Sequence, residues 1–301
     1  MKLGITVAYA RVMYSDIPTI DHHIKLVDWA KDNGFEGFEA AAFTLDHFKR
    51  DFLDKNKVEK LLNHCRSTGV HCNAFEAGFL RHMIIDESKY PEPELLRHMR
   101  DVVDVANQLE TDLIYGHTAP HPSWKIEWKR LYDEYSPPTS IWVPEDFSWK
   151  TAWTAYVHRI RKLVDVVEST GLLFALEIRP YEVISNSDSM LSLIGAVRSN
   201  NFGLVFDSAH LFVQKEVLPL SLEKLMGHIF LIHVADNDGC ADYHWAAGKG
   251  KIDWENFLRE VKKIRYNRFL NIDVAGKYDD IAKEIIHGRD YILNMAKKIG
   301  Y

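Results

Sequence analysis

The 301-residue chain is 47% hydrophobic and 27% charged, the composition of a folded globular protein with ample material for a core. A formal net charge of −6 supplies no basic field to hold a polyanion, which argues against nucleic acid as a partner. Cys65, Cys72 and Cys240 show no CxxC spacing, which argues against a disulfide framework or a zinc-cysteine site and points to a reducing cytoplasm.

The amino terminus, MKLGITVAYARV, is interrupted at Arg11 before an export signal could form. No later stretch reaches the ~20 apolar residues of a membrane span. From there, short β-rich runs recur, each followed by a longer amphipathic segment. They are KLGITVAYA (2–10), FEGFEAAAF (35–43), GVHCNAFEAG (69–78), TDLIYGHT (111–118), LLFALEIR (172–179), FGLVFDSAH (202–210), IFLIHVAD (229–236) and RFLNIDVAG (268–276). The intervening segments carry helical spacing, and several stop at a glycine that feeds the next strand, at Gly34, Gly69 and Gly171.

Eight such units with nearly continuous apolar strands predict an α/β fold, a single (β/α)8 TIM barrel over residues 1–301. An open doubly wound sheet is disfavoured because no GxGxxG follows the first strand. One connection is out of proportion: residues 119–148, after the fourth strand, hold Trp124, Trp128 and Trp142 among five prolines. This extended loop reads as a lid over the barrel mouth, as a surface excursion packed by its own aromatics, or as a contact with a second subunit.

Catalytic groups of such barrels stand at the carboxyl ends of the strands. Strand five ends in Glu177, strand six in Asp207 with His210 just beyond, strand seven in His233 and strand eight in Asp273. Carboxylates gathered on one rim repel one another unless a cation neutralises them. The set therefore asks for a divalent metal. One imidazole among carboxylate oxygens, without thiolate, suits Mn2+, Co2+ or Mg2+ at least as well as Zn2+.

His210 then either ligates or bonds substrate. Asp242 and His244, separated by one residue, have a spacing that can direct two ligands at one ion or else are solvated loop residues, and Asp253 after the GKGK turn is a helix N-cap. On the other half of the mouth, His117 is the best candidate, and Glu39 and Glu76 read as buried hydrogen-bonded carboxylates. Arg179 and Glu182 follow Glu177 and either meet substrate hydroxyls or pair with each other.

ALE at 175–177, GLVFDSAH at 203–210, IHVAD at 232–236 and AAGKGKIDW at 246–254 resemble the xylose-isomerase-like TIM-barrel superfamily, which includes ketose 3-epimerases, inosose dehydratases and type 2 AP endonucleases. The resemblance implies Glu177, Asp207 and His233 as metal ligands, with Asp273 standing where the family usually has glutamate. It makes Glu177 and Asp273 the catalytic acid and base and His210 a catalytic substrate contact. His117, Arg179, Glu182, Asp242 and His244, from their places at the mouth, are the substrate-binding candidates. It implies a metal-dependent sugar isomerase or epimerase, with Mn2+ the leading ion, working through an enediolate on a ketose or related sugar. A lyase or dehydratase on an oxidised sugar, inosose or C-glycoside is the alternative, and an AP endonuclease ranks below both because strand three ends NAFEAG without a histidine. Dimers and tetramers in the superfamily imply a homo-oligomer.

Overall fold

The structure, a computed structural model, describes residues 1–127 and 137–301. Its strands are β1 (Lys2–Ile5), β2 (Gly37–Ala41), β3 (His71–Glu76), β4 (Leu113–His117), β5 (Lys125–Glu127), β6 (Ser140–Trp142), β7 (Leu173–Glu177), β8 (Phe202–Asp207), β9 (Ile229–Val234) and β10 (Phe269–Ile272). All but β5 and β6 close into one parallel barrel in the order β1-β10-β9-β8-β7-β4-β3-β2. The predicted α/β barrel is thus the observed fold. No helix among the described residues is long and apolar enough to cross a membrane.

Strands such as β2 and β4 are buried along their whole length because helices cover one side and the barrel interior the other. Between strand wall and helices lies the larger core, including Phe38, Phe75, Phe174, Phe206 and Trp254. The barrel's inside holds a smaller cluster of Ala74, Leu113, Tyr115, Ala175, Val205, Phe230 and Leu231. Because strand side chains alternate, the residue two positions beyond an interior one faces inward again. Tyr115 is thus followed by His117, Ala175 by Glu177, Val205 by Asp207 and Leu231 by His233.

Low in the barrel, Asn73 Nδ2 donates to Asn271 Oδ1 (2.8 Å). A β-carbon at Gly4 would stand 2.0 Å from that Asn271 oxygen, so only glycine lets the amide pair fill the centre.

Helix ends follow local chemistry. The helix Lys55–Thr68 starts where Asp54 accepts from Asn56 N and Lys57 N, buries Val58, Leu61 and Cys65, and stops at Gly69 with φ 78°. Gly34 and Gly171 adopt the same left-handed conformation, and Asp253 caps its helix through Asn256 N, as expected. The first predicted strand is too long: it ends at Ile5, and Ala8–Met13 is helical. Its apolar composition hid two alanines, the strongest helix formers. Likewise the run 202–210 divides at Asp207, after which Ser208–Val213 is a helix.

The long connection is partly ordered by the hairpin of β5 with β6, which pair antiparallel from Lys125–Trp142 to Glu127–Ser140. Trp142 is exposed, whereas Trp124 is half buried and packs on the core, so the tryptophans do not form one exposed set. Trp128 lies outside the described residues. A cavity of about 400 Å³ at the foot of the excursion is lined by His121, Phe147, Tyr156 and Arg159, and by none of the polar strand-end residues.

Candidate functional site

Asp207 is at once the last residue of β8 and the cap of the helix that follows. Its Oδ1 accepts from Ala209 N (2.7 Å) and His210 N (3.0 Å). Capping fixes the carboxylate's rotation, and Oδ2 is left buried with no hydrogen-bond partner. The nearest imidazole atoms to that oxygen are His244 Nε2 at 3.5 Å and His233 Nδ1 at 3.8 Å.

His233 follows the same logic. Its Nε2 donates to Glu39 Oε1 (2.8 Å), so Nδ1 is the nitrogen that presents a lone pair to a cation once the ring gives up its second proton. That Nδ1 lies 2.7 Å from Glu177 Oε1, yet out of hydrogen-bond alignment, and is another buried atom without a partner.

Glu177 is gripped from behind. Arg179 donates to Oε2 through Nε (3.1 Å) and Nη2 (2.9 Å), and His117 Nδ1 lies 2.8 Å from the same oxygen. Burial opposes ionisation of Glu177, but the Arg179 and His117 charges outweigh it and hold the carboxyl well below the usual range. With Oε2 so occupied, Oε1 is the oxygen turned toward Asp207 and His233.

Glu177, Asp207 and His233 each offer an atom to a group whose members lie within 4.8 Å of one another. Asp273 stands one residue past β10, where Thr6 Oγ1 donates to its Oδ1 (2.7 Å). Its Oδ2 is 4.0 Å from His233 Nδ1 and 3.6 Å from His244 Nε2. The short side chain thus sits at the edge of the trio rather than inside it, and His244 stands between Asp207 and Asp273.

His210 lies on the short helix rather than on the strand, and is buried rather than turned to solvent. Both oxygens of Asp242 accept from His210 Nδ1 at 2.9 Å, so Nε2 points back toward Glu177 Oε2, 3.8 Å away. Burial favours neutral imidazole, but Asp242 and Asp207 overcome it and raise the His210 pKa well above the ordinary value. His210, Asp207 and His244 also fall within ligand distance of one another, whereas Asp242 is engaged by His210.

Arg179 and Glu182 do not pair as a couple. Glu182 accepts from Arg81 and from Thr118 Oγ1, which ties the segment after β7 to those after β3 and β4. Its carboxylate is thereby engaged by the protein itself.

The opposite half of the mouth is a hydrogen-bonded support. Glu76 Oε1 accepts from His117 Nε2 (2.7 Å), and Glu39 accepts from His233 and from Asn271 Nδ2 (2.6 Å). Tyr115 donates toward both carboxylates, at 2.8 Å to Glu39 Oε2 and 3.3 Å to Glu76 Oε2. Glu39 and Glu76 are therefore buried and hydrogen-bonded, as expected. Sequence reasoning missed Tyr115, Asn271, Thr6 and Arg81. For the first two a signal existed: each stands two residues before a candidate, His117 and Asp273, on the same inward-facing alternation.

The closed parallel barrel is matched by comparison with known proteins. The xylose isomerase-like TIM barrel family model matches residues 27–295. The chain belongs to this family. Fructoselysine 3-epimerase of Escherichia coli O157:H7 is 25% identical over 129 residues, which are 42% of this chain and 47% of that protein. The match thus spans about half the length of that curated family member. Among solved structures, a D-tagatose 3-epimerase-like protein superposes with a TM-score of 0.75 at 17% identity, covering 100% of this chain and 98% of the other. The IolI protein, solved with a bound zinc atom, superposes with a TM-score of 0.72 at 18% identity over 99% of each chain. At these identities the superpositions establish the family's fold in this chain.

Proposed function

We propose that this protein is a divalent-metal-dependent sugar isomerase or epimerase, acting on a ketose or a related sugar. The observation that carries the reading is the trio Glu177 Oε1, Asp207 Oδ2 and His233 Nδ1. Two of these atoms are buried without a hydrogen-bond partner, and the three residues can reach one ion. Uncompensated buried polar atoms are costly, and a cation satisfies both at once.

Oxygen-rich ligation with a single imidazole fits Mn2+ first, with Co2+, Mg2+ and Zn2+ also compatible. Asp273, next in strand order after His233, is the fourth ligand in this reading. Zinc in IolI and the epimerase activity named for the fructoselysine relative support the same assignment. When bound, the ion supplies Lewis-acid polarisation of adjacent carbonyl and hydroxyl oxygens, which acidifies the neighbouring C–H.

The protein's own groups then handle the proton. Glu177 and Asp273 flank Asp207 and His233 in the strand order, so a sugar between them meets a carboxylate on either side. One takes the proton from carbon, leaving an enediolate, and the other returns a proton to the opposite face to give the epimer. Return to the neighbouring carbon gives the isomer. His210, held by Asp242, presents Nε2 to a substrate hydroxyl, and Arg179 and His117 keep Glu177 in one orientation. His244, between two carboxylates, holds the third side.

The test is elemental analysis of the purified protein followed by incubation of ketoses in heavy water. About one divalent ion per chain and solvent deuterium at the carbon beside the carbonyl of recovered sugar are expected. Absence of metal after reconstitution would sink the reading, and release of a leaving group in place of exchange would make the enzyme a lyase.

A further inference from the structure

His233 and His117 stand at the ends of different strands and face the two oxygens of one carboxylate. His233 Nδ1 is 2.7 Å from Glu177 Oε1, and His117 Nδ1 is 2.8 Å from Glu177 Oε2. Behind each ring is a carboxylate, Glu39 for His233 and Glu76 for His117, at 2.8 Å and 2.7 Å. Between those carboxylates lies one phenol, that of Tyr115. The contacts therefore run in a closed circuit: Glu177, His233, Glu39, Tyr115, Glu76, His117 and back to Glu177.

We infer that Tyr115 is a positioning residue that couples the imidazoles of His233 and His117 and so sets Glu177 from both sides. The inference rests on the functional reading above for its consequence in metal binding, but its geometry does not depend on that reading. Tyr115 is 1% exposed, so its hydroxyl is buried together with the two carboxylates it bonds. Its ring is fixed by packing against Ala74, Ala175, Val205 and Leu231, which leaves the hydroxyl little freedom to follow either carboxylate alone. Glu39 Oε1 is already taken by His233 and Asn271, so Oε2 depends on Tyr115 for its donor. Removing the hydroxyl frees Glu39 and Glu76 to turn, and each turn moves the ring it orients.

A phenylalanine at this position keeps the ring and its packing and removes only the oxygen, so Tyr115→Phe is the decisive variant. In metal-free protein, nitrogen NMR of the imidazoles is expected to show both His233 and His117 displaced in Tyr115→Phe, while His23, whose ring nitrogens bond the backbone at Thr19 O (2.8 Å) and Ala41 N (3.2 Å), stays in place. In the reconstituted protein, chelator competition is expected to show metal affinity about tenfold weaker, the lower end of the effect of outer ligand-orienting partners.

Phe174→Leu, in the core outside the barrel, serves as the stability control: it should lower the melting temperature and leave both readouts alone. Unmoved His117 and His233 signals in Tyr115→Phe would overturn the inference. So would movement of one ring only, because Tyr115 would then serve a single histidine. Should the wild-type protein bind no divalent ion, the functional reading falls, yet the metal-free NMR comparison still decides the role of Tyr115.

Discussion

The two halves of the barrel mouth use the same residue types in opposite ways. On the β2–β4 side, Glu39 and Glu76 have their oxygens engaged by Tyr115, His117, His233 and Asn271. On the β7–β10 side, Asp207 Oδ2 and His233 Nδ1 are equally buried and have no hydrogen-bond partner, a condition that His117 Nδ1, facing Glu177 from the end of β4, shares. Composition alone does not separate a ligand set from a support. What separates them is which atoms remain after the local hydrogen bonds are counted: carboxylates with every oxygen engaged orient their neighbours, and those with an oxygen to spare are the candidates to meet a cation.

The largest effect should come from erasing that contrast on its ligand side. Asp207→Ala or His233→Ala is expected to abolish both metal binding, by elemental analysis, and turnover; full activity in either would end the comparison. Next in size is His210→Ala. It should retain the ion while kcat falls by about 10²–10³-fold, the cost of losing one well-placed donor to developing charge.

Asp273→Glu sharpens the contrast by lengthening the arm at the edge of the trio. The ion should be kept and 3-epimerisation of ketoses should rise, measured by product ratio. Loss of a native activity instead would assign the shorter carboxylate to a different reaction.

A gentler probe is pH. Burial favours neutral His233, but Glu39 and Glu177 overcome burial and raise its pKa well above the ordinary value in the metal-free protein. Cation binding must displace that proton, so affinity should weaken as pH falls, with proton release visible by calorimetry in buffers of different ionisation enthalpy. The smallest effect is expected from Trp142→Ala on the exposed hairpin. Metal affinity should be unchanged, and a change confined to KM would give the hairpin a part in substrate capture.

The contrast also explains what could be read from the chain. Glu177, Asp207 and His233 were legible because a strand end is a local event: an apolar run stops and a ligand-type residue stands at the stop. The glycine stops at Gly34, Gly69 and Gly171 were legible for the same reason. The support was not. Glu39 reaches His233 across 194 positions of sequence and Asn271 across 232, and no local pattern announces such a pairing. Nor could the run FDSAH reveal that Asp207 divides its oxygens between a helix cap and the pocket. That division depends on the chain turning into a helix at Ser208. The first strand was overextended because burial and apolar composition are shared by strand and short helix alike.

The pairing of β4 with β7 has one more consequence. These strands are hydrogen-bonded neighbours from Leu113–Leu173 to His117–Glu177, although the whole excursion and its following helix are threaded between them. The barrel wall closes across the insertion as though it were absent. Such a seam is a natural port for exchange: a different segment could be grafted between Thr118 and Ser148 while the strand-end residues of β4 and β7 keep their places in the wall.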